Sequence, residues 1–100
     1  MSLHELILKL LEGIREASIR ADVAAVVSMF RDLYAAGRIT DNKLLKGLEE
    51  LCLDVLIEKN PLKSIEELRE DASKCASEFY RAIRIETIRA RVFSSVAPGE

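Results

Sequence analysis

Residues 64–94 read SIEELREDASKCASEFYRAIRIETIRARVFS, and the periodicity of this stretch decides the fold. Its opening, Ser64-Ile65-Glu66-Glu67, has the pattern of a capping box. The Ser64 hydroxyl takes the free amide of residue 67, and Glu67 reaches back to residue 64, so a helix is expected to start at Ile65. At about 100° per residue, Ile65, Leu68, Ala72, Cys75, Ala76, Phe79 and Ile83 share one stripe, and helical periodicity runs on to about Ser94. After Ile83 the apolar residues change sides. Ile85, Ile88 and Val92 cluster nearly opposite the first stripe, flanked by Arg81, Arg84, Arg89 and Arg91. Three readings fit: a helix that leaves the bundle and offers a second seam to another chain, a kink near residues 84–87, or a change to strand. The alternation of β-branched residues over 83–92 favours the last, but a lone strand in a helical chain needs a partner strand. Helix is the reading adopted.

Working outward, Gly and Pro fall where the apolar periodicity breaks, and they divide the rest of the chain into three shorter helices. The first spans about residues 3–20, with Leu3, Leu6, Ile7, Leu10, Leu11, Ile14 and Ala17 on one wide face and Gly13 inside it at a cost of ~1 kcal/mol relative to Ala. Asp22 is the expected N-cap of the second, whose stripe is Val23, Val26, Val27, Phe30, Leu33 and Tyr34 and whose end is Gly37 as a left-handed residue. Thr40 or Asp41 opens the third, with Leu44, Leu45, Leu48, Leu51, Cys52, Val55 and Leu56 toward the core. Asn60-Pro61 closes it, because Pro cannot continue the hydrogen-bond ladder. The expected fold is a single all-α domain over residues 1–100, an antiparallel bundle of about four helices with a long C-terminal helix. Val26-Val27-Ser28-Met29-Phe30-Arg31-Asp32-Leu33-Tyr34-Ala35-Ala36-Gly37-Arg38-Ile39, followed by residues 44–51, resembles the helix, turn, helix hairpin of pentatricopeptide and tetratricopeptide repeats. The resemblance covers about a quarter of the chain and implies a binding role for protein or RNA. Those families stack several repeats, and no second copy occurs here.

Composition narrows the function. In 100 residues, 49% are apolar and 32% charged, and 15 Lys plus Arg stand against 17 Asp plus Glu. A chain of this length and composition has enough apolar material for a core and is too apolar to be disordered. No apolar run approaches the ~20 residues of a membrane span, and two cysteines with no leading signal segment suggest a reducing cytoplasm. The absence of Gln and the presence of only two Asn, Asn42 and Asn60, are features shared with thermophile proteins. The net charge of −2 argues against a generic polyanion binder. Met1-Ser2-Leu3 and Pro98-Gly99-Glu100 carry no pattern of functional weight.

No chemistry-bearing constellation stands out. One His and two Cys without C-x-x-C spacing are too few for a structural zinc site. His4 stands at the extreme N-terminus, and the carboxylates, including Glu50 and Asp54 at i, i+4, lie off the apolar stripes without a Glu-x-x-His motif. Cys52 and Cys75 are nearly symmetric about the turn at residues 60–64, so in an antiparallel hairpin they lie within about a turn of each other and a disulfide is geometrically conceivable. Bridging needs Cα atoms about 4.4 to 6.8 Å apart while packed helix axes sit ~8 to 10 Å apart, so both are expected as buried free thiols. No catalytic residue, metal or cofactor is assigned, and the chain is read as non-enzymatic.

What remains is a surface. Leu8, Ile19, Leu53, Ile57, Ile85, Ile88 and Val92 fall roughly opposite their helices' core stripes, and contiguous exposed apolar patches mark partner sites. Residues 79–96 carry four Arg against one Glu, a charge of +3, while residues 41–70 carry five basic against eight acidic residues, a charge of −3. The expectation is an assembly module, homodimeric or bound to another protein. Leu53, Ile57, Ile85, Ile88 and Val92 form its interface, and Arg81, Arg84, Arg89 and Arg91 form a charged rim. The second reading is a small nucleic-acid-binding subunit with the same arginines on phosphate.

Overall fold

The computed structural model of the chain describes residues 1–96; residues 97–100, including Pro98-Gly99-Glu100, lie outside them. Four α-helices follow in order, α1 (Leu3–Leu10), α2 (Ala17–Ala35), α3 (Asp41–Lys59) and α4 (Ile65–Val96), with no strand among the described residues. The bundle is all-α, and α4 is one uninterrupted helix of 32 residues. The strand reading of 83–92 fails because Thr87 continues the core stripe one helical step beyond Phe79 and Ile83, all three buried.

Most boundaries follow from local chemistry. The Thr40 hydroxyl accepts from the Lys43 amide at 3.2 Å and caps α3. Asn60 ends α3, its side-chain amide donating to the Leu56 carbonyl at 2.9 Å. The Ser64 hydroxyl accepts from the Glu67 amide at 3.3 Å and donates to the Glu67 carboxylate at 3.2 Å, so the box at α4 closes side chain to side chain. Gly37, at φ 72°, ends the α2 segment in the left-handed region.

The first two helices differ from expectation. The apolar segment 3–20 does not form one helix, since α1 stops at Leu10 and α2 begins at Ala17 rather than after Asp22. Gly13 takes φ 88°, a left-handed conformation in which the chain reverses out of α1 instead of continuing through it. The carbonyls freed at this break find donors from other helices. Arg20 Nη1, in the first turn of α2, donates to the Leu11 and Ile14 carbonyls at 3.0 Å each, and Lys59 Nζ, in the last turn of α3, donates to the Leu10 carbonyl at 2.8 Å. Two cations at a helix C-terminus also complement its dipole. At the other end of α1, Ser2 and Glu5 form a reciprocal capping box at 3.1 and 3.2 Å, so Ser2 has structural weight after all.

The core runs the length of α3 and α4, which share the largest interface. Phe79, Leu44, Leu48, Leu68, Ile83, Val27 and Cys52 are its largest fully buried side chains. α2 lies on α3 where Gly47 leaves room, since a Cβ there would stand 2.6 Å from the Phe30 Cζ. The molecule measures 57 × 27 × 22 Å, its long dimension set by α4. Its radius of gyration, 15.0 Å, exceeds the ~13 Å of a compact 100-residue domain.

Candidate interaction surface

The register of α3 against α4 is fixed by two contacts. Cys52 Sγ lies 2.7 Å from Cys75 Sγ, and the Tyr80 hydroxyl donates to Asp41 Oδ2 at 2.7 Å. Asp41 is the first residue of α3, so the part of α4 beyond about residue 84 runs past the end of its neighbour. There α4 keeps its inner face covered, with Ile83 and Thr87 buried, while its outer apolar side chains stay largely open, Ile85 at the edge of α1. Ile85, Ile88 and Val92 are 43%, 49% and 57% exposed. Leu8 of α1, 46% exposed, lines the same groove as Ile85. Between α1, α2 and α4 lies an open groove of about 870 Å³. Leu8, Leu11, Ala24 and Ile85 line it, with Arg20, Arg31, Glu86 and Arg89 also around it and His4 near its α1 end.

The charged residues beside this strip are placed by their neighbours. The Arg84 guanidinium stands over the Tyr80 ring at 5.7 Å. The hydrogen bonds from Tyr80 and then Tyr34, with Arg84 nearby, hold the Asp41 carboxyl below its ordinary range. The same bond to Asp41 pushes the Tyr80 phenol up, and the phenols of Tyr80 and Tyr34 hold Arg84 more firmly protonated. Arg84 thus stands beside Tyr80, whose hydroxyl is itself bonded to Asp41. Arg81, Arg89 and Arg91 are exposed along α4.

The other expected interface residues divide. Leu53 and Ile19 are half-buried and pack against the internal core; the helical-wheel reading placed both outside because it counts only each helix's own stripe. Ile57 is 37% exposed and belongs to the α3–α4 turn, where Leu62 is 99% and Ile65 47% exposed. Ile65 and Ile85 are 20 residues apart on one helix, or about 30 Å at a rise of 1.5 Å per residue. Met1 of the N-terminus and Met29 of α2 apart, the exposed apolar residues of α3 and α4 thus form two patches at opposite ends of α4. Charge divides the same way: residues 79–94 carry +3, whereas residues 49–71, with three basic and eight acidic side chains, carry −5.

Among the described residues no group of three or more His, Cys, Asp or Glu side chains converges as metal ligands would, and no helix is long and apolar enough to cross a membrane. Comparison with protein-family models, curated proteins and solved structures found no match. The resemblance of the α2–α3 hairpin to repeat proteins therefore stays at the level of a helix, turn, helix unit. Two features had no sequence signal. The groove exists only because the chain reverses at Gly13, and the Tyr80–Asp41 bond joins residues 39 positions apart.

Proposed function

We propose that the chain is an assembly module that pairs with a second, antiparallel copy of itself, the C-terminal half of each α4 lying against the α3–α4 turn of its partner. The observation that carries this reading is the two-ended surface. One end presents Ile85, Ile88 and Val92 among arginines at +3, and the other presents Ile57, Leu62 and Ile65 among carboxylates at −5. A two-fold axis near the middle of α4 brings each end onto its complement twice, so both apolar patches are covered and both charge excesses are offset. Pairing the C-terminal halves with each other would instead oppose arginine to arginine. In this arrangement Ile57, Ile85, Ile88 and Val92 are interface residues, while Leu53 supports Ile57 from within the core.

Ile88→Asp tests the proposal. Half of the Ile88 surface is open, so the change leaves the fold intact, as circular dichroism will confirm. Two copies of Ile88 are lost per dimer, and with half of each side chain left to bury, at ~0.8 kcal/mol or more each, the dissociation constant rises by at least about 10-fold. Light scattering then gives a single species of 11.2 kDa for the variant and twice that for the native chain. A native chain that stays at 11.2 kDa at its highest soluble concentration refutes the pairing. The second reading, arginines on nucleic-acid phosphate, is favoured by the same +3 strip. It requires a log–log salt slope near −3.6 on duplex DNA for four contacts, at ~0.9 per contact. No binding at low salt removes it.

A further inference from the structure

Cys52 and Cys75 meet across the α3–α4 interface with their sulfurs 2.7 Å apart, Cys52 donating to Cys75, and both are free thiols. Distance between helix axes does not prevent a bond here. With Cα atoms on cylinders of radius ~2.3 Å, axes ~8 to 10 Å apart leave two facing Cα atoms roughly 3.4 to 5.4 Å from each other. That interval overlaps the bridging range of about 4.4 to 6.8 Å. Small side chains on this face of α4, Ala72 and Ala76, both buried, permit the close approach. We infer that Cys52 and Cys75 are a redox site, closing by exchange with a low-molecular-weight disulfide into a reversible intrachain bond that staples α3 to α4.

The two sulfurs have different tasks. Cys52 is fully buried and Cys75 half-buried, so only Cys75 is open to a reagent. Around Cys75, burial and Glu78 oppose a charge, and Lys59 of α3 and Lys9 of α1 weakly favour it, while Glu78 and Glu49 oppose one on Cys52. The hydrogen bond from Cys52 favours charge on Cys75, whose thiol lies below its ordinary range, and the same bond together with burial pushes Cys52 up. The Cys75 thiolate attacks one sulfur of the small disulfide, which breaks and releases one thiolate, leaving a mixed disulfide on Cys75. Cys52 then loses its proton to the released thiolate and attacks the Cys75 sulfur, expelling the second small thiolate, which takes a proton from solvent. Two protein thiols are oxidised to one disulfide and one small disulfide is reduced to two thiols. The bond closes the loop of residues 52–75, and a constraint of that length raises Tm by roughly 10 °C or more.

The test uses the full chain, equilibrated with mixtures of reduced and oxidised glutathione, quenched with an alkylating agent and weighed intact after denaturation. The expected product is a monomeric chain two hydrogens lighter, carrying no alkyl group and melting higher than the reduced form. Cys52→Ala is expected to stop at a glutathione adduct on Cys75, and Cys75→Ala to leave Cys52 unmodified while the chain is folded. The inference is overturned if both thiols are alkylated after full oxidation, if the native chain accumulates the glutathione adduct or a covalent dimer, if Cys52 in folded Cys75→Ala reacts as fast as Cys75, or if the oxidised chain melts no higher.

Discussion

Thr87→Val should stabilise the protein, and the size of the effect follows from one atom. Thr87 is 5% exposed, on the core stripe after Phe79 and Ile83, and its Oγ1 is buried with no hydrogen-bond partner. A buried hydroxyl without a partner costs about 1 to 3 kcal/mol, because water satisfied it in the unfolded chain and no protein group does so in the folded one. Valine has the same branched outline and nearly the same helix propensity, so the substitution removes the polar atom and leaves packing and backbone preference in place. We expect a gain of about 1 kcal/mol or more, which for a chain of this size is an increase in Tm of roughly 4 to 8 °C per kcal/mol. Urea unfolding followed by circular dichroism, at one fixed protein concentration so that association does not enter, should show a higher midpoint with an unchanged slope. Thr87→Ser is the control: it keeps the hydroxyl and deletes a methyl, and should lose ~0.8 kcal/mol or more. If the valine variant has the lower midpoint, the hydroxyl has a partner in solution and the reasoning about this site fails.

Two further substitutions examine the turn at Gly13 and the tether at Asp41. Gly13→Ala meets no neighbour within 4 Å, so its cost is conformational alone; at φ 88° an L side chain loses about 1 to 2 kcal/mol, read as a lower urea midpoint. Tyr80→Phe removes the leading cause of the lowered Asp41 pKa, so a carboxyl titration followed by NMR should move upward. Because the folded Asp41 pKa lies below its unfolded value of 3.8, this contact stabilises the fold above that pH and is lost as pH falls through the folded value. The variant should therefore show a shallower acid-side loss of stability, and an unmoved Asp41 titration would show that the hydrogen bond is not made in solution.

The α3 and α4 boundaries were legible because their signals are local. Thr40, Asn60-Pro61 and Ser64 each act on a backbone group within four residues, and the structure uses each of them. The α1–α2 boundary was not legible, because the residue before α2, Glu16, makes no side-chain cap and the carbonyls at the break are satisfied from Arg20 and from Lys59, the latter 49 positions from its acceptor. Gly13 in an apolar run reads equally well as a tolerated helix interior or as a terminus, and only tertiary packing decides. The exposure of Ile85, Ile88 and Val92 was legible from the 100° period, which sets them roughly opposite the buried Ile83 and Thr87. Leu53 was misplaced because a wheel drawn for one helix does not see what the other helices bring to its far side. The thiol pair was half legible: its symmetry about the turn placed both cysteines on facing stripes, but the hydrogen bond from Cys52 and the partial exposure that single out Cys75 depend on tertiary packing, not on its flanking residues.

These placements bear on one another through α4. Both ends of the proposed interface are carried by the same continuous helix, so their separation of about 30 Å is set by a rise of 1.5 Å per residue and not by loop conformation. The turn patch also depends on α3, because Ile57 must hold its position relative to Ile65 across residues 60–64. The Cys52–Cys75 contact lies between the two ends and joins the helices whose relative position fixes that turn. If α3 slides on α4, Ile57 moves away from Ile65 while the α4 strip is unaffected, so only one of the two complementary ends is weakened. Closing the disulfide should then strengthen self-association without adding any contact between copies, by reducing the freedom that pairing must otherwise remove. Sedimentation of the reduced and oxidised chain at equal concentration measures this. Equal dissociation constants would mean that the α3–α4 interface is already rigid on the scale that matters for pairing, and that the thiol pair governs stability alone.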